Sequence, residues 1–193
     1  MSDFKVPVGI SNRHLHLSEE DLVKLFGDGS CLTVKKPLSQ KGQYACEELV
    51  TLVGPKGSIS SVRVLGPTRK QTQVEVSNTD ARTLGIDAPV RDSGDLKGST
   101  PMKLVGPKGE ISLGEGCIVA KRHIHMSDED AEKLGLKDKQ IVNVKVDGNR
   151  GLVFDEVLVR VHPTFVLEMH LDTDEANACG LKNDDQVTIV AEM

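Results

Sequence analysis

Short runs in which apolar and polar residues alternate dominate this chain. Residues 141–146 (IVNVKV) and 157–161 (VLVRV) are typical of them. An alternation with period two predicts β-strands that bury one face. Turn sequences, among them Gly54-Pro55-Lys56-Gly57 and Gly106-Pro107-Lys108-Gly109, separate such runs. Strands of five or six residues divided by turns predict a mainly β fold, built as small barrels or sandwiches.

Polar capping signals add short helices to this pattern. Ser18 and Ser127 each begin a serine-plus-acid tetrapeptide, SEED and SDED. Both resemble a capping box, with Asp in place of the usual Glu or Gln. Gly27 and Gly135 follow at the distance of two helical turns, where glycine can serve as a left-handed C-cap. We therefore expect a short helix after each serine, ending near the glycine.

Four of the six histidines lie in two copies of one string, Arg13-His14-Leu15-His16 and Arg122-His123-Ile124-His125. On an extended strand, the two histidines of each copy project to the same side. Neutral imidazole is a good zinc ligand. A single pair of this kind could be two surface histidines, but its repetition favours a metal site built by duplication.

The arrangement after each string recurs at Glu75 and His170. In all four places a metal-competent residue is followed by one apolar residue, then Ser or Asp, then an acid three positions further on. This repeated order of residues predicts four units, each made of a strand, a ligand, a helix cap and a helix. Without it, Glu75 would be interpreted as a solvent-facing acid. Three ligands per half match a catalytic metal with one open position, and the two predicted sets are His14, His16 and Glu75, and His123, His125 and His170.

The duplication predicts two domains in the 193 residues, each long enough to bury its own core. The first domain is predicted at 13–120 and the second at 121–193. If the strand before the second string closes the first barrel, pseudo-symmetry predicts that residues 1–12 complete the second barrel. The Gly- and Ser-containing stretch 91–99 is predicted to be a linker between the halves.

Composition excludes several classes of function. The chain is 38% apolar and 27% charged, as ordinary globular proteins are, and its net charge is -5 with no Trp and one Tyr. Nucleic acids and anionic membranes require basic footprints and, for single strands, aromatic platforms. No apolar run approaches a membrane span, and a strand pattern begins too early for a signal peptide. No phosphate-binding glycine motif of the nucleotide folds occurs. We expect an intracellular, cytoplasmic protein with no nucleic-acid or membrane partner.

Longer segments resemble a known family. They are Ser11–Ser18 (SNRHLHLS), Gly66–Arg69 with Thr72–Glu75, Arg122–Met126 (RHIHM) and Glu168–Ala178 (EMHLDTDEANA). Together they resemble the phosphotransacylases of the propanediol-utilisation type, the phosphate propanoyltransferases, over roughly residues 5–190. The resemblance implies two β-barrel domains capped by short helices and a two-zinc site. It also implies transfer of a short acyl group, propanoyl or acetyl, between coenzyme A and orthophosphate.

Carried over by position, the resemblance implies zinc at both predicted ligand sets, two ions per chain, and phosphate binding by the catalytic Arg69. Arg69 could otherwise be a surface charge. The partners implied are coenzyme A or acyl-CoA and orthophosphate or acyl phosphate, with a homo-oligomer, a dimer, expected. Family members in bacterial microcompartments carry an N-terminal extension. A strand pattern starts here by Val6, so we expect no such extension and leave encapsulation open.

We expect direct attack of phosphate on the thioester in a ternary complex. The competing chemistry is an acyl-cysteine at Cys46, but flanking Glu47 and Glu48 should disfavour a thiolate there. The four cysteines lack metal or redox spacing, so we expect reduced thiols. A zinc-dependent thioester hydrolase and a non-catalytic, metal-stapled binding module remain as alternatives. Basic residues, Arg13 and Arg122 among them, could hold the coenzyme A phosphates or form a solvated face.

Overall fold

The structure is a computed structural model that describes residues 4–190. Residues 1–3 of the predicted N-terminal strand and 191–193 of the predicted second domain lie outside the described residues. The elements of the described part are, in chain order, β1 (Phe4–Ser11), β2 (His14–His16), α1 (Glu19–Phe26), β3 (Val34–Pro37), β4 (Tyr44–Val53), β5 (Ser58–Gly66), β6 (Gln73–Glu75), α2 (Asn78–Leu84), β7 (Val90–Arg91), β8 (Thr100–Val105), β9 (Glu110–Ala120), β10 (His123–Met126), α3 (Asp128–Leu134), β11 (Ile141–Val146), β12 (Leu152–Val161), β13 (Glu168–Asp172), α4 (Thr173–Cys179) and β14 (Gln186–Val190).

The chain divides into two compact units, and the predicted mainly β fold of two small barrels with short helices is confirmed. Residues 12–120 form one unit, the first barrel. The described residues before Asn12 and after Ala120 form the other, the second barrel. Each barrel is a closed ring of strands, so its own sheet satisfies the backbone hydrogen bonds that an open edge would leave unpaired.

In the first barrel the ring runs β4, β5, β2, β6, β9 and β8, and the pairing of β8 with β4 closes it. The strand that carries His14 and His16, β2, is parallel to β5 and antiparallel to β6. Strands β3 and β7 extend the sheet beyond the ring by pairing with β4 and β9. The two predicted ligand strands, β2 and β6, are therefore direct neighbours.

In the second barrel the ring runs β1, β13, β10, β12, β11 and β14. Its histidine strand, β10, is parallel to β12 and antiparallel to β13. N-terminal strand β1 pairs with β13 and β14 in the way that β9 pairs with β6 and β8 in the first barrel. This shared pairing pattern confirms the internal duplication.

Each barrel has a hydrophobic core of its own. Leu15 and Ile124, the apolar residues between the paired histidines, are both fully buried in these cores. Burying one such side chain contributes about 1.5–3 kcal/mol. Because neighbours on a strand point to opposite faces, the buried Leu15 and Ile124 force the flanking histidines onto the other face of the sheet.

The helices begin where the sequence predicts. In each, the side chain of the N-cap residue accepts the N–H three positions on, and these N-caps are Ser18, Ser77, Ser127 and Asp172. The helices end at Gly27, Gly85, Gly135 and Gly180. The last three adopt the left-handed conformation, but Gly27 has φ 102° and ψ 169°, so a left-handed C-cap is correct for Gly135 and wrong for Gly27. Within residues 4–190, no helix is long and apolar enough to cross a membrane.

The prediction that residues 91–99 link the two halves is wrong. They belong to the unit formed by residues 12–120 and run from the last residue of β7 to the residue before β8. Ser93 and Gly94 hydrogen-bond to side chains of β6. The glycines and serines do mark turns, but these turns return the chain to the ligand strand.

Candidate metal centres

The first predicted ligand set occupies one face of two adjacent strands. Across the antiparallel pair β2 and β6, His14 lies opposite Glu75 and His16 lies opposite Gln73. Between them, Leu15 and Val74 are fully buried on the core side. The four polar side chains therefore form a square patch, two residues from each strand, on one face of the sheet.

Backbone carbonyls fix the orientation of both imidazoles. His14 Nδ1 donates to Asn12 O at 2.8 Å, and His16 Nδ1 donates to Leu65 O at 3.1 Å. A carbonyl can only accept, so each Nδ1 carries the proton and each Nε2 keeps its lone pair. Burial, followed by the positive charge of Arg69, lowers the pKa of His16 to about 3. His16 is thus neutral near pH 7, which is the form that binds metals.

The carboxylate of Glu75 is held in place by neighbouring polar groups. Its Oε2 lies 3.4 Å from His14 Nε2. Its Oε1 accepts from Gln73 Nε2 at 2.5 Å and from Ser93 Oγ at 3.2 Å. Gln73 is fixed in turn, since its Oε1 accepts the Gly94 N–H at 2.8 Å. These contacts orient the third ligand before any ion arrives, as the outer partners of metal ligands do.

Arg69 lies at the edge of this patch. Its Nη2 is 2.9 Å from His16 Nε2, and its Nη1 donates to Ser93 Oγ at 3.2 Å. The backbone N–H of Arg69 donates to Leu17 O at 2.8 Å, which anchors the loop to the histidine strand. Beside it is a cavity of about 340 Å³, lined by His16, Lys41, Gly42, Gln43, Gly66, Pro67 and Arg69. Two cationic side chains and no acid line this cavity, so it suits a small anion.

The second predicted ligand set has the same layout. Across the antiparallel pair β10 and β13, His123 lies opposite His170, and His125 lies opposite Glu168. The ring centroids of the three histidines are 4.6 Å (His123–His125), 5.1 Å (His123–His170) and 4.8 Å (His125–His170) apart. Strand pairing therefore brings together residues that are 45 positions apart in the sequence.

Two buried nitrogens of this second set lack a hydrogen bond within the described residues. His123 Nδ1 donates to Lys121 O at 2.8 Å, whereas His125 Nδ1 and His170 Nε2 are buried and make no hydrogen bond within the described residues. Burial, then the neighbouring His123 and His170, lowers the pKa of His125 to about 2. His170 Nε2 also lies 2.7 Å from Glu168 Oε2, outside hydrogen-bond geometry. Buried polar atoms without hydrogen bonds are uncommon because they cost free energy, and a bound cation would satisfy both nitrogens.

Both sets therefore fit a metal ion. In each, one ligand atom per residue can be chosen so that the atoms lie within 4.8 Å of one another. The donors are imidazole nitrogens and one carboxylate oxygen, a chemistry that zinc and similar divalent ions accept. All six predicted ligands are found in these two sets, His14, His16 and Glu75, and His123, His125 and His170.

The arginine that begins each string has a structural partner. Arg13 Nη1 lies 2.5 Å from Asp80 Oδ1, and Arg122 Nη1 lies 2.8 Å from Glu175 Oε1. Asp80 and Glu175 are the capping-box acids of α2 and α4, the helices that follow Glu75 and His170. Each ion pair thus ties the start of the histidine strand to the helix after the third ligand.

The cysteine environments bear on the choice of mechanism. Cys46 and Cys117 are fully buried. Burial, with the charge of Glu48 second, raises the pKa of the Cys46 thiol to about 11, and burial raises that of Cys117 to about 12. Neither thiol is a nucleophile near pH 7, because the thiolate is the reactive form.

Three side chains of these sites are absent from the sequence prediction. Gln73 and Glu168 lie two residues before Glu75 and His170, so strand alternation alone could have placed them beside the ligands. Ser93 comes from a loop 18 residues after Glu75, and no local pattern marks it.

The fold and the two sets define a double-barrel protein with two candidate cation sites and, beside the first, a cavity lined by two cationic side chains. The family model of phosphate propanoyltransferase matches residues 7–182. A phosphate propanoyltransferase of Thermotoga maritima is 59% identical over 95% of this chain and 88% of its own. The phosphate propanoyltransferase of Clostridioides difficile is 57% identical over 91% of this chain and 84% of its own. That of Salmonella typhimurium is 55% identical over 92% of this chain and 85% of its own. The chain belongs to the phosphate propanoyltransferase family.

This membership confirms the resemblance found in the sequence. It makes the chain an enzyme, a phosphate acyltransferase or phosphotransacylase. The match spans strands of both barrels, so the family is not limited to one half of the chain.

Proposed function

We propose that the enzyme moves a short acyl group, propanoyl or acetyl, between coenzyme A and orthophosphate at a two-zinc site. The observation that carries the proposal is the cavity beside the first ligand set. There, Arg69 contacts His16 at 2.9 Å and Lys41 adds a second positive charge. An anion in this cavity would be next to the metal ligands, where a phosphate nucleophile is needed.

The residues that would hold zinc are His14, His16 and Glu75 for one ion and His123, His125 and His170 for the other. Bound zinc supplies Lewis-acid polarisation of a carbonyl oxygen and neutralises the charge of phosphate and of a leaving thiolate. The protein's own contribution is orientation. The backbone carbonyls of Asn12, Leu65 and Lys121 fix three of the imidazoles, and Gln73 and Ser93 fix Glu75.

Arg69 is the residue we assign to phosphate. Its guanidinium offers a planar fork of donors that matches two phosphate oxygens. Ser93 Oγ, at 3.2 Å from Nη1, keeps that fork directed towards the first ligand set. In the reaction, a phosphate oxygen attacks the thioester carbonyl carbon, and the carbon–sulfur bond breaks as coenzyme A leaves as a thiolate. Arg69 holds the nucleophile and offsets its charge.

Direct attack is favoured over an acyl-cysteine intermediate. Cys46 is fully buried, and its pKa is raised to about 11. An acyl group of any size would have to enter the core of the first barrel to reach it. A single transfer to bound phosphate needs no such opening.

The test measures acyl phosphate formed from acetyl-CoA and propanoyl-CoA, with and without a chelator. We expect formation by the zinc-replete enzyme and its loss on chelation. We expect Arg69→Ala to lower kcat/KM for phosphate about 100-fold, with partial recovery in Arg69→Lys, since one donor to a developing charge is worth roughly 10²–10³ in rate. Arg82→Ala, which removes an exposed arginine of the same barrel, is the matched control.

Three outcomes would contradict the proposal. Turnover of acyl-CoA without phosphate would identify a hydrolase, and closed four-coordinate metals without turnover would identify a stapled binding module. A rate unaffected by the chelator would exclude the metal role. The domain limits 13–120 and 121–193 with 1–12, the dimer and the cytoplasmic location stay predictions, to be tested by limited proteolysis, sedimentation and fractionation.

A further inference from the structure

The face that carries the second ligand set has a fourth polar side chain, at the remaining corner of the square patch, that is not among the three predicted ligands. Glu168 lies directly opposite His125 across β10 and β13, and two residues before His170. Strand alternation places it on the same face as the three histidines. The square patch of the second barrel therefore consists of His123, His125, His170 and Glu168.

The carboxylate of Glu168 is directed at the ligands. Its side chain is 12% exposed, and its Oε2 lies 2.7 Å from His170 Nε2. That nitrogen makes no hydrogen bond within the described residues, so the oxygen lies beside it at close range but outside hydrogen-bond geometry. An acid held against a buried imidazole nitrogen in this way is poised to interact with whatever that nitrogen binds.

Space for this carboxylate is provided by the neighbouring strand. A Cβ added at Gly9, on β1, would lie 2.7 Å from Cδ of Glu168 and 2.9 Å from its Oε2. Real Cβ atoms do not approach other atoms so closely, so an alanine at this position would displace the acid. Glycine at position 9 keeps a recess for the carboxylate.

The corresponding corner of the first barrel is used differently. There Gln73 takes the place of Glu168, opposite His16 and two residues before Glu75. The Gln73 amide is committed to Glu75, Ser93 and the Gly94 N–H. Each face therefore contains one carboxylate among its four side chains, Glu75 in one and Glu168 in the other.

We propose that Glu168 belongs to the second cation site, where its carboxylate stabilises the bound divalent ion and positions His170. This inference rests on the proposed metal sites. Three neutral imidazoles leave the full charge of a divalent ion in place, and a buried, adjacent carboxylate reduces it by one unit. The two sites then carry the same formal charge although their ligands differ. Glu168 is a positioning residue, since it acts through the ion and His170.

The test measures zinc affinity by competition with a chromophoric chelator in the full chain. A His14→Ala/His16→Ala background removes the first site and leaves the second to be measured alone. In it we expect Glu168→Gln to weaken zinc binding about 10- to 100-fold, the usual effect of losing an outer partner. Glu168→Asp should recover part of the affinity. The matched control is Glu129→Gln, which removes an acid that is 87% exposed from the same barrel.

Gly9→Ala gives a second measurement that leaves the acid in the chain. We expect it to weaken zinc binding when Glu168 is present and to have little further effect in Glu168→Gln, because both changes act on one carboxylate. Equal zinc affinity of Glu168→Gln and Glu129→Gln would overturn the role of Glu168 and leave the metal site intact. Absence of zinc binding in the background chain with Glu168 present would instead refute the proposed site itself.

Discussion

The ion pair between Arg13 and Asp80 gives a sharp test of how the ligand strands are held. We consider Asp80→Asn, which removes the charge but keeps an oxygen that can accept the Ser77 N–H in the capping box. Arg13 Nη1 lies 2.5 Å from Asp80 Oδ1, with side-chain exposures of 35% and 7%. The perturbation therefore removes the charged contact and retains the capping hydrogen bond.

The expected cost follows from this partial burial. Exposed ion pairs contribute about 0–1 kcal/mol, and removal of one partner of a buried pair costs about 3–5 kcal/mol. Asp80 is buried, but the guanidinium of Arg13 can still reach water. We expect a loss of about 2 kcal/mol, or roughly 30-fold in the ratio of folded to unfolded barrel. Because Arg13 precedes His14 directly, we also expect about tenfold weaker zinc binding at the first site.

Hydrogen exchange in urea, read on peptides covering β2 and α2, measures the first barrel separately from the second. Asp95→Asn is the control, since Arg91 and Asp95 form a pair at 3.2 Å with exposures of 39% and 51%. If the two variants lower the unfolding free energy equally, the ion pair does not hold the ligand strand. The Arg13→Met/Asp80→Asn double variant gives a second check. If its loss of stability equals the sum of the losses in the two single variants, the two side chains are not coupled and the conclusion is the same.

Other predictions concern thiols and the core. Cys46→Ala should keep most of the activity, and loss of activity in this variant would support an acyl-cysteine. An alkylating reagent should modify exposed Cys31 in the native chain and spare the three buried thiols. Burial raises the pKa of the Cys117 thiol to about 12. The contribution of this thiol to stability should therefore fall by about 1.4 kcal/mol per pH unit from about pH 9, where the unfolded thiol ionises, to about pH 12. Cys117→Ala should lessen that slope in alkaline urea titrations. Ile124→Ala should lower the free energy of unfolding of the second barrel by about 2–5 kcal/mol and weaken zinc binding at the second site only. If Ile124→Ala and Leu15→Ala weakened the same zinc site, this prediction would be wrong.

Much of the ligand geometry could be predicted because it depends on local rules. Period-two alternation determines that His14 and His16 share a face, and the capping serines determine where the helices begin. The same order of residues at Glu75 and His170 predicts the third residue of each candidate set, and the structure places it beside the two histidines. These features hold because each involves residues only a few positions apart.

The contacts around the ligands could not be predicted because they depend on register and on loops. Alternation places Gln73 on the ligand face, but only the pairing of β2 with β6 sets it opposite His16. Ser93 was assigned to a linker on composition, yet it contacts Glu75 and Arg69. Composition identifies where a chain turns, but it does not identify which residues the loop then contacts. The ion pairs of Arg13 and Arg122 were missed for the same reason, since their partners are 67 and 53 residues away.

The fourth residues of the two faces, Gln73 and Glu168, leave each face with one carboxylate although the ligands differ. A glutamate in place of Gln73 would put two carboxylates within hydrogen-bond distance, given the 2.5 Å contact to Glu75, and like charges so close disfavour ionisation of both. Glu168 instead lies 2.7 Å from an imidazole nitrogen of His170, so the neighbour of an acid there is an imidazole and not a second carboxylate. A glutamate is therefore favoured at one corner of the second face and disfavoured at the matching corner of the first. Gln73→Glu should accordingly weaken zinc binding at the first site or make it more sensitive to acid, whereas retention of normal affinity at all pH values would show that the identity of this corner is not under electrostatic control.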